Sequence, residues 1–212
     1  MMSIFFNFGE NVNGFDYKVI NEREARASAG IMFLLGLLSL FSVFIFRTLL
    51  WAELFSITFI IEFLIRIVFS PKYAPYMLIG GWFVKNQTPD WVEANPKQFA
   101  WFLGLVLGAI MTFYILFDVI SLIRLSICIV CLILLYLESV FGICLGCMLY
   151  KKLNIKTKNC PGGICDTTPK VKYKITNYFI VAGFIVLFYL TYISLNNWKY
   201  NDVNEIVIVK DK

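Results

Sequence analysis

All six cysteines fall between positions 128 and 165, in three pairs: Cys128 with Cys131, Cys144 with Cys147, and Cys160 with Cys165. The first two pairs have CxxC spacing inside an apolar run, and the third lies in the polar segment NCPGGIC. Thiolates are soft ligands, suited to zinc, copper(I), iron–sulfur clusters or sulfane sulfur, and CxxC spacing also suits dithiol–disulfide exchange. On one straight helix the first two pairs would sit about 160° and roughly 24 Å apart, too far to share a four-sulfur site. Cys144 and Cys147 can instead meet Cys160 and Cys165, because Pro161-Gly162-Gly163 lets that loop turn sharply. Those four thiols form the candidate metal or exchange site.

The plainer reading is that a cysteine is a small apolar helix residue, and it suits Cys128 and Cys131, set among Ile, Val and Leu. Cys144 and Cys147 differ, being bracketed by Gly142 and Gly146 in FGICLGCMLY, where the backbone is opened. Glu138 follows Cys131 by seven residues, about 20° around a helix, as a proton acceptor for a thiol or a bond to another helix. It joins Cys144 and Cys147 as a candidate catalytic residue. Glu62 and Arg66, spaced i,i+4 with the acid first, are expected to pair inside the membrane, as a staple or as part of a conducting path. Asp118 and Arg124 read as charges at a hairpin end.

These groups must be positioned by membrane helices. Of 212 residues, 59% are hydrophobic and 16% charged, and the mean hydropathy is +0.74, which excludes an ordinary soluble domain. Without histidine, proton or metal chemistry falls to Cys, Asp, Glu or Lys. The net charge of +5 carries no nucleic-acid signal, since the lysines lie between hydrophobic spans. The first residues lack the pattern of a secretory signal, so the amino terminus is expected to be retained.

Asn21-Glu22-Arg23-Glu24 offers an N-cap for a first span that ends before Arg47. A second span, about Leu49 to Phe69, carries Glu53, Glu62 and Arg66, and is followed by a proline- and glycine-broken interfacial or re-entrant stretch, Pro71 to Asn86. Residues 87–98 read as a polar loop. A third span is predicted over Phe99–Phe117, a fourth over Leu125–Tyr150, and a fifth over Ile175–Leu195, closed by Asn196, Asn197 and Trp198. Val203–Val209 reads as a short strand or as unordered. The fold class is thus all-α, a polytopic bundle of about five spans. Its parts are a four-helix unit over 1–150, a cysteine-containing loop over 151–174, and a fifth helix with a short tail over 175–212. With the amino terminus inside, thirteen flanking Lys and Arg lie on the cytoplasmic side and five outside, so the loop would face the cytoplasm and the carboxyl terminus the exterior.

Four segments, NEREARASAG, RIVFSPKYAP, ANPKQFA and ESVFGICLGC, occur in this order. Together they resemble a bacterial integral-membrane family catalogued as domain of unknown function 4395, over about residues 8 to 150. The resemblance implies a four-helix membrane unit with a CxGC near the end of its last helix, here Cys144 and Cys147, and implies no activity. The residues therefore support an inner-membrane protein that works through thiols, by redox or by sulfur or soft-metal handling. A resident metal is left open. Its expected partners are the lipid bilayer and a cytoplasmic thiol or sulfur-carrier protein. The alternatives are a transporter of a soft-metal or sulfur species and a non-catalytic subunit.

Overall fold

Asn21 takes an extended conformation and its side chain accepts the backbone N–H of Arg23, so it caps helix α1, Glu22–Phe46. In this computed structural model, residues 8–12, 15–117, 122–153 and 175–210 are described. Asp118, Cys160 and Cys165 lie outside the described residues, as does most of the loop assigned to 151–174. Helix α1 ends at Arg47, in the left-handed conformation at φ 54°, which turns the chain back into α2, Leu50–Leu64. A five-residue π turn, Ile65–Phe69, continues α2 without a break.

A 3-10 turn, Pro71–Tyr73, leads into α3, Pro75–Val84, the short apolar helix that occupies the predicted interfacial stretch. The predicted loop 87–98 is more ordered than expected. Strand β2, Trp91–Glu93, pairs antiparallel with β1, Val19–Asn21, in the register Val19↔Glu93, Ile20↔Val92 and Asn21↔Trp91. Helix α4, Ala94–Leu116, then starts before the predicted Phe99. Pro96 sits in its first turn, where a missing N–H costs nothing because that donor has no helical partner anyway.

The fourth predicted span is not one helix. Helix α5, Leu122–Tyr136, runs into a π turn, Leu137–Phe141, and stops at Gly142; a separate helix α6, Leu145–Lys152, follows. Helix α7, Ile175–Lys210, continues through the predicted stop at Asn196–Trp198 and through the segment read as a strand. No Gly or Pro interrupts residues 184–210, and a helix satisfies the backbone internally, which a lone strand cannot do.

Among the described residues four helical stretches are long and apolar enough to cross a membrane: Glu22–Phe46, Ala94–Leu116, Ile123–Phe141 and Ile175–Asn197. The second predicted span, α2 with its π turn, is not among them. It carries three ionisable residues, Glu53, Glu62 and Arg66, and all three are buried. These charged groups face in while large apolar side chains such as Phe46, Phe69, Phe83 and Phe117 are exposed, the arrangement that lipid solvates and water does not. The buried stripe of α1 is made largely of small residues, Ala25, Ser28, Ala29, Gly36, Ser39 and Ser42, and so α3 and α2 can approach closely.

Glu62 and Arg66, 0% and 1% exposed, tie these helices together. Arg66 donates from Nε and Nη2 to Glu62 Oε1 at 2.9 and 2.7 Å, and from Nη2 to Ser28 Oγ of α1 at 3.1 Å. Its guanidinium also lies 4.9 Å from the ring centre of Trp101 on α4. Glu62 in turn accepts the backbone N–H groups of Tyr76 and Met77 at 2.9 and 3.1 Å, so its carboxylate caps the positive end of α3. One buried ion pair thereby joins α1, α2, α3 and α4.

Candidate functional site

Gly142 is what places the second cysteine pair. Its φ of +68° is a left-handed cap that ends the α5 segment, and a Cβ there would come within 3.1 Å of the Arg26 guanidinium. Arg26 of α1 donates to the carbonyls of Val140 at 3.0 Å and Ser139 at 3.4 Å, satisfying the end of the π turn. After Ile143 the chain enters α6 with Cys144, in an extended conformation, as its N-cap. Gly146 lets α6 lie against α4: a Cβ on it would be 2.6 Å from Ala100 Cα, so a larger residue would push the two helices apart.

At the N-cap, Cys144 Sγ accepts the backbone N–H of Cys147 at 3.3 Å, and the Cys147 thiol donates to the same sulfur, with the two sulfurs 2.6 Å apart. The two thiols are consequently inequivalent. The hydrogen bond from Cys147 is the largest influence on Cys144 and holds it below the ordinary thiol range; the Lys97 ammonium and the backbone N–H act in the same sense, against burial and Glu138. Cys147 is pushed up by donating to Cys144 and by burial. Cys144 is therefore the better nucleophile and Cys147 the thiol that keeps its proton.

Beside them lies a charge cluster that reading the sequence missed. Lys97, 3% exposed, places Nζ 2.8 Å from Glu22 Oε2 and 2.8 Å from Glu138 Oε1. Three elements meet in this cluster: the first residue of α1, the first turn of α4 and the π turn after α5. Lys97 falls within the stretch 87–98 that reads as a polar loop, and Glu22 within the capping segment that opens the first span. The available signal was a lysine one turn inside an apolar helix that begins at Ala94. Glu138 bonds to Lys97 of another helix.

The break places the two cysteine pairs on separate helices, α5 and α6 with its N-cap, and not on one straight helix. Cys131, Glu138 and Cys144 line one apolar cavity of about 340 Å³ between α2, α4, α5 and α6. A second, polar cavity of about 600 Å³ shares Cys144 with it. Glu22, Arg26, Lys97, Cys144, Cys147 and Lys151 are among its lining, with Asp90 and Glu93. Cys144 thus lines both cavities and Glu138 the apolar one, where it bonds to Lys97 of the other, while Cys128 lies on the membrane helix α5, half-buried. Among the described residues no cluster of three Cys, Asp or Glu side chains is arranged to hold a metal ion.

Comparison with curated proteins and with solved structures finds no match. A family profile does match, over residues 20–154, a stretch that includes Glu22, Lys97, Glu138, Cys144 and Cys147 and stops short of Cys160, Cys165 and α7. That match covers more than half of the sequence, and this membrane protein accordingly belongs to the family described as a domain of unknown function (DUF4395).

Proposed function

We propose that the protein is a membrane thiol–disulfide exchange protein in which Cys144 is the attacking thiolate and Cys147 the resolving thiol. The observation that carries this reading is Cys144 at the N-cap of α6, its sulfur accepting both the backbone N–H and the thiol of Cys147. A cysteine at a helix N-terminus, with a second one turn later, is the arrangement that makes a reactive dithiol. In the exchange, Cys144 thiolate attacks one sulfur of a partner disulfide, forms a mixed disulfide and releases the other partner sulfur as thiolate. Cys147 then gives its proton to the nearby Glu138 carboxylate, attacks Cys144 sulfur and releases the second partner thiolate. The Cys144–Cys147 disulfide that remains is the product, and the reverse sequence oxidises a partner dithiol.

The polar cavity, with Arg26 and Lys151 on its wall, is the route for a water-soluble partner. Cys160 and Cys165 are assigned the next exchange step, from the loop after α6. The excess of Lys and Arg on this side of the bundle favours a bacterial inner-membrane protein with its amino terminus and polar cavity in the cytoplasm, and a cytoplasmic thiol or sulfur-carrier protein as partner.

The test is a trapping experiment with Cys147→Ser. Without the resolving thiol, Cys144 should accumulate as a mixed disulfide with a small disulfide such as oxidised glutathione, whereas Cys144→Ser should not. Equal yields from both variants would refute the assignment, and zinc, copper or iron found at one per chain by elemental analysis would replace exchange with metal handling.

A further inference from the structure

The apolar cavity behind the thiols asks for a second reactant. Its lining combines the rings of Phe59, Phe63 and Trp101 with Cys144 and Glu138. Phe59 and Phe63 are tilted against each other with ring centres 4.5 Å apart, and the Arg66 guanidinium lies 4.9 Å from the ring centre of Trp101. Val106, Leu145 and Leu149 also line it while 42%, 43% and 46% exposed on the lipid-facing surface, so the cavity is reached sideways from the acyl chains. Its volume falls at the lower end of small-ligand sites.

On the reading that Cys144 and Cys147 form a redox dithiol, we infer that this cavity binds the head group of a membrane quinone, the dithiol's electron acceptor. An acyl chain would fill an apolar cavity, but it has no use for the aromatic rings or for a thiolate and carboxylate in the same lining. A quinone uses both, as a flat ring that stacks on aromatic side chains and is reduced by two electrons. Quinones are also a membrane-soluble acceptor already used for protein dithiols.

The step balances. Cys144 thiolate adds to a ring carbon of the quinone, forming an S–C bond. Cys147, its proton passed to Glu138, attacks Cys144 sulfur; the S–S bond forms, the S–C bond breaks, and its electron pair stays on the ring. The reduced ring takes up two protons, one from Glu138 and one from water in the polar cavity. The sum is dithiol plus quinone giving disulfide plus quinol. With the quinone as acceptor, exchange runs in the reverse direction: the Cys144–Cys147 disulfide oxidises a partner dithiol from the other cavity, and the quinone then reoxidises the Cys144–Cys147 dithiol.

The experiment uses the full chain in nanodiscs, reduced and freed of reductant, with decylubiquinone as probe. Quinone loss is followed by absorbance and the Cys144–Cys147 disulfide by peptide mass spectrometry; in parallel, reaction with oxidised glutathione reports exchange from the aqueous side. One quinone should be consumed per disulfide formed. Leu134→Trp and, from the opposite wall, Leu107→Trp should lower the quinone rate at least tenfold relative to the glutathione rate. A photoreactive azidoquinone should label peptides of α4 or α5 in the unaltered protein, whether or not a filled variant folds. Disulfide exchange without quinone reduction, or quinone reduction undiminished by both fillings, would overturn the inference and leave the exchange reading intact; failure of both reactions would overturn both.

Discussion

Glu138 reaches Lys97 at 2.8 Å from the turn directly before the helix break that presents Cys144. The same ammonium holds Glu22 at 2.8 Å, so the start of α1, the start of α4 and the end of the α5 segment converge on one nitrogen. The cluster therefore fixes the frame in which the two thiols sit, and it supplies the charges that act on them.

Removing that nitrogen leaves two largely buried carboxylates without their shared cation. Lys97→Met should cost about 3–5 kcal/mol, the usual penalty for orphaning a buried charge. Combining it with Glu22→Gln and Glu138→Gln should recover most of the loss. Thermal unfolding in a mild detergent measures both, and a single variant as stable as the unaltered protein would show that the cluster is not holding the helices.

The Glu62–Arg66 pair should behave differently. Arg66→Leu should again cost about 3–5 kcal/mol. The double change to Leu should recover less than half of it, because the N–H groups of Tyr76 and Met77 lose their acceptor, at about 1–3 kcal/mol for each buried orphan. Full recovery in a double-mutant cycle would contradict the capping role of Glu62.

Alkylation should follow the inequivalence of the thiols. The rate at Cys144 should reach half its maximum at a pH below the ordinary thiol value of about 8.5. Cys147 should stay unreactive across that range. In Cys147→Ala the strongest influence lowering Cys144 is gone, and its profile should move to higher pH, towards the ordinary value and beyond it because burial remains. A profile unchanged by the substitution would remove the basis for naming Cys144 the nucleophile.

Gly142→Ala should place a Cβ in a left-handed conformation, at a cost of about 1–2 kcal/mol, and crowd the Arg26 guanidinium. The expected result is a modest loss of stability with a larger loss of Cys144 reactivity, since Arg26 secures the turn before it. Loss of stability alone, with the alkylation profile intact, would separate the break from the chemistry.

The sequence made the helices legible because hydropathy and charge along a membrane chain are strong, one-dimensional signals. Asn21 as a cap, Arg47 as an end and the i,i+4 spacing of Glu62 and Arg66 could all be read locally. What depended on three-dimensional closure could not. Lys97 looked like a flanking charge because its two carboxylates lie 75 and 41 residues away in the chain. Gly142 and Gly146 marked an opened backbone, but only the left-handed φ at Gly142 shows that the helix stops there and restarts at Leu145. That restart turns Cys144 from a helix-interior residue into a cap, and brings it to the cavity that also holds Cys131.

The central claim is that Cys144 and Cys147 interconvert as a pair. The direct measurement is a redox titration of the purified full-length protein in defined dithiothreitol buffers, with the Cys144–Cys147 linkage read by peptide mass spectrometry at each potential. The account predicts one reversible two-electron transition with the two residues linked to each other in the oxidised form. Two free thiols at every potential, in protein that remains folded, would contradict it.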